Sequence, residues 1–248
     1  DEQRQFAEAM LQRTLQPYQF IILVLVVLLI VVAVTEFPRC KPLAADSNES
    51  KATIGETLRY LAGNGRFKAG IVAQFLYVGM QTAVWSFTIR LALQLDPALN
   101  ERVASNYMIW AFIGFFVGKF IANILMTKFN ENKVLIVYSI LGVLALLYVI
   151  NVHNMSAVWA AIFTSALFGP CWATIYARTL DTIEDKRHTE TGGAVIVMSI
   201  IGGAVIPVIQ GFVSDHTGSM QTAFVVSLLC FVAVLVYFIS ARRWELQK

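Results

Sequence analysis

An all-α fold, a polytopic membrane bundle of seven transmembrane helices, is predicted by three observations. Of the 248 residues, 57% are hydrophobic and only 14% charged, against about half and about a quarter in soluble domains. The apolar residues come in runs of about twenty, the length a helix rising ~1.5 Å per residue needs to cross a ~30 Å hydrocarbon core. Lys and Arg also segregate between alternate loops, as they do when retained on one side of a membrane.

In chain order the predicted spans are residues 18–36, 69–93, 105–127, 133–151, 156–178, 192–213 and 220–241. Ahead of the first, Phe6, Met10, Leu11 and Leu15 fall near one helical face between polar residues, the pattern of an interfacial helix or an ordered loop. The polar stretch 37–68 is much longer than any later connection, so the chain divides into an external segment with one helix (1–36), a cytoplasmic linker (37–68), a six-helix bundle (69–241) and a tail (242–248). Of the 19 Lys and Arg residues, 14 lie in one set of loops and 3 in the opposite set, with Arg90 and Lys119 inside helices. This places the tail, with Arg242, Arg243 and Lys248, in the cytoplasm and the start of the chain outside. Because the chain opens on Asp1 with no basic segment and cleavage site before the first apolar run, it reads as a fragment.

Several function classes have no footprint. The net charge of +3 is modest and spread over short loops, against nucleic-acid binding. Cys40, Cys171 and Cys230 read as free thiols. No Asp, Glu or His lies away from the span ends, and no nucleophile sits beside a base, so neither enzyme chemistry, a metal nor a cofactor is expected.

Polar groups inside the spans carry what functional signal there is. Gln74, Tyr77, Gln81, Trp85 and Thr88 are spaced by three, four, four and three residues, which puts them within a sector of about 80° on the second span. Amides in hydrocarbon need partners, so this face looks at other helices or at a wet cavity. Interhelical hydrogen bonding and sugar recognition, in which amides bond hydroxyls and an aromatic ring packs on the pyranose, both fit that spacing. Lys119, with Gly114, Gly118 and Asn123 near it, is read as a gating or packing residue. Gly192-Gly193, Gly202-Gly203, Pro207 and Gly211 in the sixth span, and Gly169-Pro170 in the fifth, permit bending and close backbone approach.

The run Tyr77-Val78-Gly79-Met80-Gln81-Thr82-Ala83-Val84-Trp85-Ser86-Phe87-Thr88-Ile89-Arg90 resembles the seventh helix of the fucose permease family, sugar:proton symporters of the major facilitator superfamily. The likeness continues through Ser105-Asn106-Tyr107, Phe115-Phe116-Val117-Gly118-Lys119-Phe120, Val197 to Gly203 and Gly211 to Asp215, and covers essentially the whole chain. One stretch departs from the family: Trp172-Ala173-Thr174-Ile175-Tyr176 lacks the expected proline, which stands at Pro170 instead. The resemblance implies helices six to twelve of twelve and proton-coupled L-fucose uptake by alternating access across a bacterial inner membrane. Relatives in the family carry glucose and galactose. On this reading the substrate-binding residues are Gln74, Tyr77, Gln81, Trp85, Thr88 and Asn106, with Gln81 and Trp85 expected to contact the sugar and Gln74, Tyr77 and Thr88 to flank the cavity. The proton-loading groups are expected upstream, because none of these spans carries a carboxylate or imidazole away from its ends. A seven-helix receptor shares the predicted topology, but there is no external cysteine pair, no Asp-Arg-Tyr or Glu-Arg-Tyr ending the third helix and no Asn-Pro before a Tyr in the seventh. A structural membrane protein would leave the polar stripe unexplained.

Overall fold

The computed structural model describes residues 2–35 and 52–246, and Cys40 and the first part of the predicted linker, residues 37–51, lie outside them. The chain divides into two compact units, residues 1–49 and 50–248.

The first unit contributes one helix, α1 (Glu2–Val34). The separate leading segment expected ahead of residue 18 is continuous with the first span. The three-to-four residue spacing of its apolar positions is a helical period wherever the helix lies.

The second unit holds the remaining helices: α2 (Ile54–Gly63), α3 (Gly65–Leu95), α4 (Glu101–Lys128), α5 (Glu131–Asn151), α6 (Ser156–Phe168), α7 (Cys171–Leu180), α8 (Thr189–Met198), α9 (Gly202–Thr217) and α10 (Met220–Leu246). Among the described residues each predicted span is mainly helical, and α3 packs against α4, α6, α7, α9 and α10. Among the described residues five stretches are long and apolar enough to cross a membrane: α4, α5, α6 with α7, residues 186–217, and α10. The apolar part of α1, Tyr18–Val34, is shorter. Helix α3 spans 31 residues but falls outside the five, because glutamines, threonines and glycines dilute its hydropathy. It packs against five other helices of the bundle, so protein as well as lipid meets its polar groups.

Two spans break where glycine and proline predicted bending. Helix α6 stops at Phe168 and α7 restarts at Cys171. Pro170, buried at the joint, has no N–H to donate back to the Ala166 carbonyl. The long stretch from residue 186 passes through a tight 3₁₀ turn at Ser199–Ile201 before α9 starts at Gly202, with Pro207 one turn further on. Close backbone approach accompanies both breaks. A side chain on Gly202 would overlap the Phe75 carbonyl oxygen, and one on Gly118 would overlap that of Ala166.

The predicted linker contains α2, which sequence reading left as an undivided polar stretch. Thr53 and Glu56 cap its start reciprocally, and the Thr53 N–H donates to the Glu56 carboxylate at 2.9 Å, holding that group below the usual carboxylate range. Leu61 packs with Phe67, Ile183 and Ile196. Thr57 Oγ1 and Nδ1 of buried His188 share a hydrogen bond of 2.8 Å, and Tyr60 stacks on the His188 ring at 4.5 Å. Asp185 sits 3.6 Å from His188 Nε2, and hydrogen bonds from Arg187 pull its carboxyl down to about 2. A depressed carboxylate contributes stability above its ordinary pKa and loses it as pH falls toward the folded value, so the Asp185–Arg187 pairing is fully present above the ordinary value of 3.8 and is lost as pH falls to about 2. Thr57→Val with Tyr60→Ala removes both grips on His188. Limited proteolysis of the folded full-length protein should then cut within 52–64 several times faster, and an unchanged cleavage rate would mean that Leu61 and the Asn64–Thr182 hydrogen bond suffice to dock α2.

A candidate sugar-contacting face on the central helix

Three contacts set the register of α3 against the broken helix, which runs antiparallel to it. A side chain on Gly70 would overlap Thr179, the Tyr77 hydroxyl donates to the Phe168 carbonyl at 2.8 Å, and the Trp85 indole N–H donates to Ser165 Oγ at 3.1 Å. The polar stripe therefore looks at α6 and α7. Gln74, Tyr77 and Thr88 are fully buried, and the Thr88 hydroxyl bonds its own helix at the Val84 carbonyl. Neither polar atom of the Gln74 side chain has a hydrogen-bond partner among the described residues.

Gln81 and Trp85 differ, both being half-buried. The Gln81 amide makes no hydrogen bond among the described residues, so its donors and acceptor are open to an incoming group. Trp85 meets Phe112, Phe115 and Phe168 edge-to-face, with centroids 5.0, 5.5 and 6.4 Å away. Such pairs fix a ring's orientation. Sequence reading missed Phe112, Phe115, Ser165 and Phe168 as a group. Their only signal was the three-residue spacing within each pair, which any helix core shares.

Helix α4 supplies the next wall. Phe112 and Lys119 are seven residues apart and so share a face, and Asn123 follows one turn later. Lys119 and Asn123 are exposed. The Lys119 backbone is nevertheless a packing element: a methyl on Gly169 would lie 2.6 Å from the Lys119 Cα. By the α3 register Gln81 falls between the levels of Phe168 and Ser165, whereas Lys119 lies against Gly169, beyond Phe168. Asn106 is not brought to this place. It is nine residues from Phe115, hence about 180° around α4, and exposed on the face away from Trp85.

The packing residues are where the glycine pattern suggested. Gly202 is buried against the Phe75 backbone, while Gly203 and Pro207 are half-buried, and a methyl on Gly203 would lie 3.0 Å from Thr82 Oγ1. No group of His, Cys, Asp or Glu that could hold a metal occurs among the described residues.

What this arrangement can do is offer an unpaired amide and a braced aromatic surface beside a broken helix, in a span free of titratable acids. Relatives with the same architecture are known. Residues 70–246 match the Major Facilitator Superfamily model. The chain is 30% identical over 223 residues to the L-fucose-proton symporter of Escherichia coli, covering 89% of this chain and 50% of that protein. It is 25% identical over 225 residues to a glucose/galactose transporter of Brucella abortus, covering 89% and 52%. The crystal structure of the E. coli fucose:proton symporter superposes with a TM-score of 0.78 at 30% identity, over 91% of this chain and 54% of that one. The chain thus spans about half the length of these relatives. With a family model matched along most of its length and the helix order reproduced in a solved relative, the chain belongs to the major facilitator superfamily.

Proposed function

We propose that this chain carries the C-terminal six-helix bundle, and the helix before it, of a transporter that takes up a neutral hexose with protons, L-fucose first and glucose or galactose as the alternative. The observation that carries the reading is the pairing of the unbonded Gln81 amide with the braced Trp85 ring on the central helix. Amides match sugar hydroxyls and indole surface matches the C–H face of a pyranose. Membership of the superfamily displaces the receptor and scaffold readings. The bias of Lys and Arg toward one set of loops supports a cytoplasmic C-terminus in the bacterial inner membrane. On that orientation α2 and the His188 corner lie on the cytoplasmic side, and Lys119 and Asn123 lie between the sugar-contacting level and the cytoplasm, in position to gate or to pack.

Alternating access rocks two repeats around a site between them, so the 248-residue chain alone should move no sugar. Cells expressing the full-length gene should accumulate labelled L-fucose in response to an imposed proton gradient, whereas liposomes holding only this chain should not. Sugar flux through the isolated chain would overturn the two-repeat reading, and absence of uptake of all three sugars by the full-length protein would overturn the substrate class.

Proton loading requires a group that titrates across the cycle. None of the spans offers a carboxylate or imidazole away from its ends, and Lys119 is a poor substitute. Lys119→Gln in the full-length protein should therefore leave proton-driven uptake coupled. Abolished gradient-driven uptake with intact counterflow would assign the coupling to Lys119.

A further inference from the structure

We propose that Ser165 of α6 is a positioning residue that sets the selectivity of this site by engaging the indole N–H of Trp85. The proposal rests on the reading that Trp85 contacts the sugar.

Trp has one polar side-chain atom, and here its hydrogen is given to Ser165 Oγ at 3.1 Å. Ser165 is fully buried, so that acceptor sits where water does not compete and the bond is correspondingly costly to lose. The ring is also flanked edge-to-face by Phe112, Phe115 and Phe168 at interplanar angles of 69°, 88° and 79°. These aromatic neighbours limit how far the indole swings, but only Ser165 fixes which way its N–H points.

With its one polar hydrogen given to Ser165, the accessible part of Trp85 has no donor left to offer a substrate. Such a surface rewards a substrate that presents a patch of C–H groups and gives nothing to an extra hydroxyl. Were the N–H released, it would need another acceptor in a low-dielectric site, and a sugar hydroxyl is the nearest mobile one. Ser165 thereby separates two modes of recognition on one residue, stacking when its hydroxyl is present and hydroxyl bonding when it is absent. Gln81, one turn away on the same face, remains the hydrogen-bonding group in the first mode.

A double-mutant cycle tests this on the full-length protein in detergent, with Ser165→Ala, Trp85→Phe and the pair, titrated with L-fucose, galactose and glucose. Phe keeps an aromatic surface and lacks the N–H, so the Ser165 hydroxyl has nothing to hold in that background. Ser165→Ala alone should weaken the preferred sugar by about 3- to 10-fold, the equivalent of one net hydrogen bond, and shrink its preference over the other two. In the Trp85→Phe background the same change should have no further effect. An equal loss in both backgrounds would make Ser165 a packing residue only and overturn the proposal, as would unchanged selectivity in Ser165→Ala. Ultraviolet resonance Raman on the same proteins reads the indole N–H directly, independent of binding. The Trp85 band, isolated by subtracting Trp85→Phe, should shift to the weakly bonded position in Ser165→Ala, and an unshifted band would overturn the proposal. Unaltered affinity in Trp85→Phe and in Trp85→Ala would instead sink the reading of Trp85 as a sugar contact, a result distinct from failure of the Ser165 cycle.

Discussion

Replacing Gly118 with alanine should unseat α4 from the broken helix, while the same replacement at Gly114, one turn away on the same stripe, should be tolerated. A methyl at Gly118 would overlap the Ala166 carbonyl oxygen and come within 2.7 Å of the Ala166 Cα. These are backbone atoms, which cannot rotate aside as a side chain can. The carbonyl concerned is also the one that Pro170 leaves without its helical donor, so the glycine Cα lies against it where the α6–α7 joint needs room. Overpacking of this kind costs about 1–3 kcal/mol where the structure can yield, and more is expected where both partners are main chain. At Gly114 the nearest atom to an added methyl is the Ile162 carbonyl oxygen at 3.6 Å, an ordinary contact. Gly202→Ala, facing the Phe75 carbonyl, should resemble Gly118→Ala, and Gly203→Ala, facing the side chains of Thr82 at 3.0 Å and Val78 at 3.3 Å, should fall between Gly118→Ala and Gly114→Ala. Thermal unfolding of detergent-purified full-length variants orders the four, and equal midpoints for Gly118→Ala and Gly114→Ala would show that the helices separate without strain.

Periodicity announced these faces but not what they meet. The spacing of Gln74, Tyr77, Gln81, Trp85 and Thr88 correctly put five side chains on one side of α3, since residue spacing and helical pitch are enough for that. Which side depended on the antiparallel register with α6 and α7, fixed by Gly70 against Thr179 and Tyr77 against Phe168, pairs more than ninety residues apart in the chain. The stripe thus splits into three closed residues and two open ones, and no local pattern marks the split. Asn106 shows the same limit: its likeness to a family position said nothing about which face of α4 it occupies. The span predicted at 69–93 is helical, although its hydropathy is lower than that of the other spans, because an apolarity scale measures fitness for lipid and α3 packs against five other helices. The breaks at Gly169-Pro170 and ahead of Gly202 were legible because missing donors and missing side chains act locally. Helix α2 hid in a polar stretch, although Thr53 followed three residues later by Glu56 is a start signal that can be read.

Truncating Trp85 to alanine should weaken sugar binding by up to about a hundredfold, and Gln81→Leu by roughly fivefold. The first removes an aromatic surface worth a few kcal/mol in packing and ring contacts, and the second removes one net hydrogen bond of about 1 kcal/mol. Gln74→Leu is the internal control and should behave in the opposite way. That amide is fully buried with neither polar atom bonded among the described residues, so exchanging it for an apolar group of similar volume relieves a desolvation cost of about 1–3 kcal/mol. Its thermal midpoint should rise and its sugar affinity should stay as it is. A purely interhelical role for the whole stripe forecasts another pattern, in which Gln81→Leu and Trp85→Ala lower the midpoint and leave affinity intact in whatever protein folds. Isothermal and scanning calorimetry on the same detergent-purified full-length variants measure both quantities. Normal affinity in Gln81→Leu and Trp85→Ala together would remove the central helix from the sugar site.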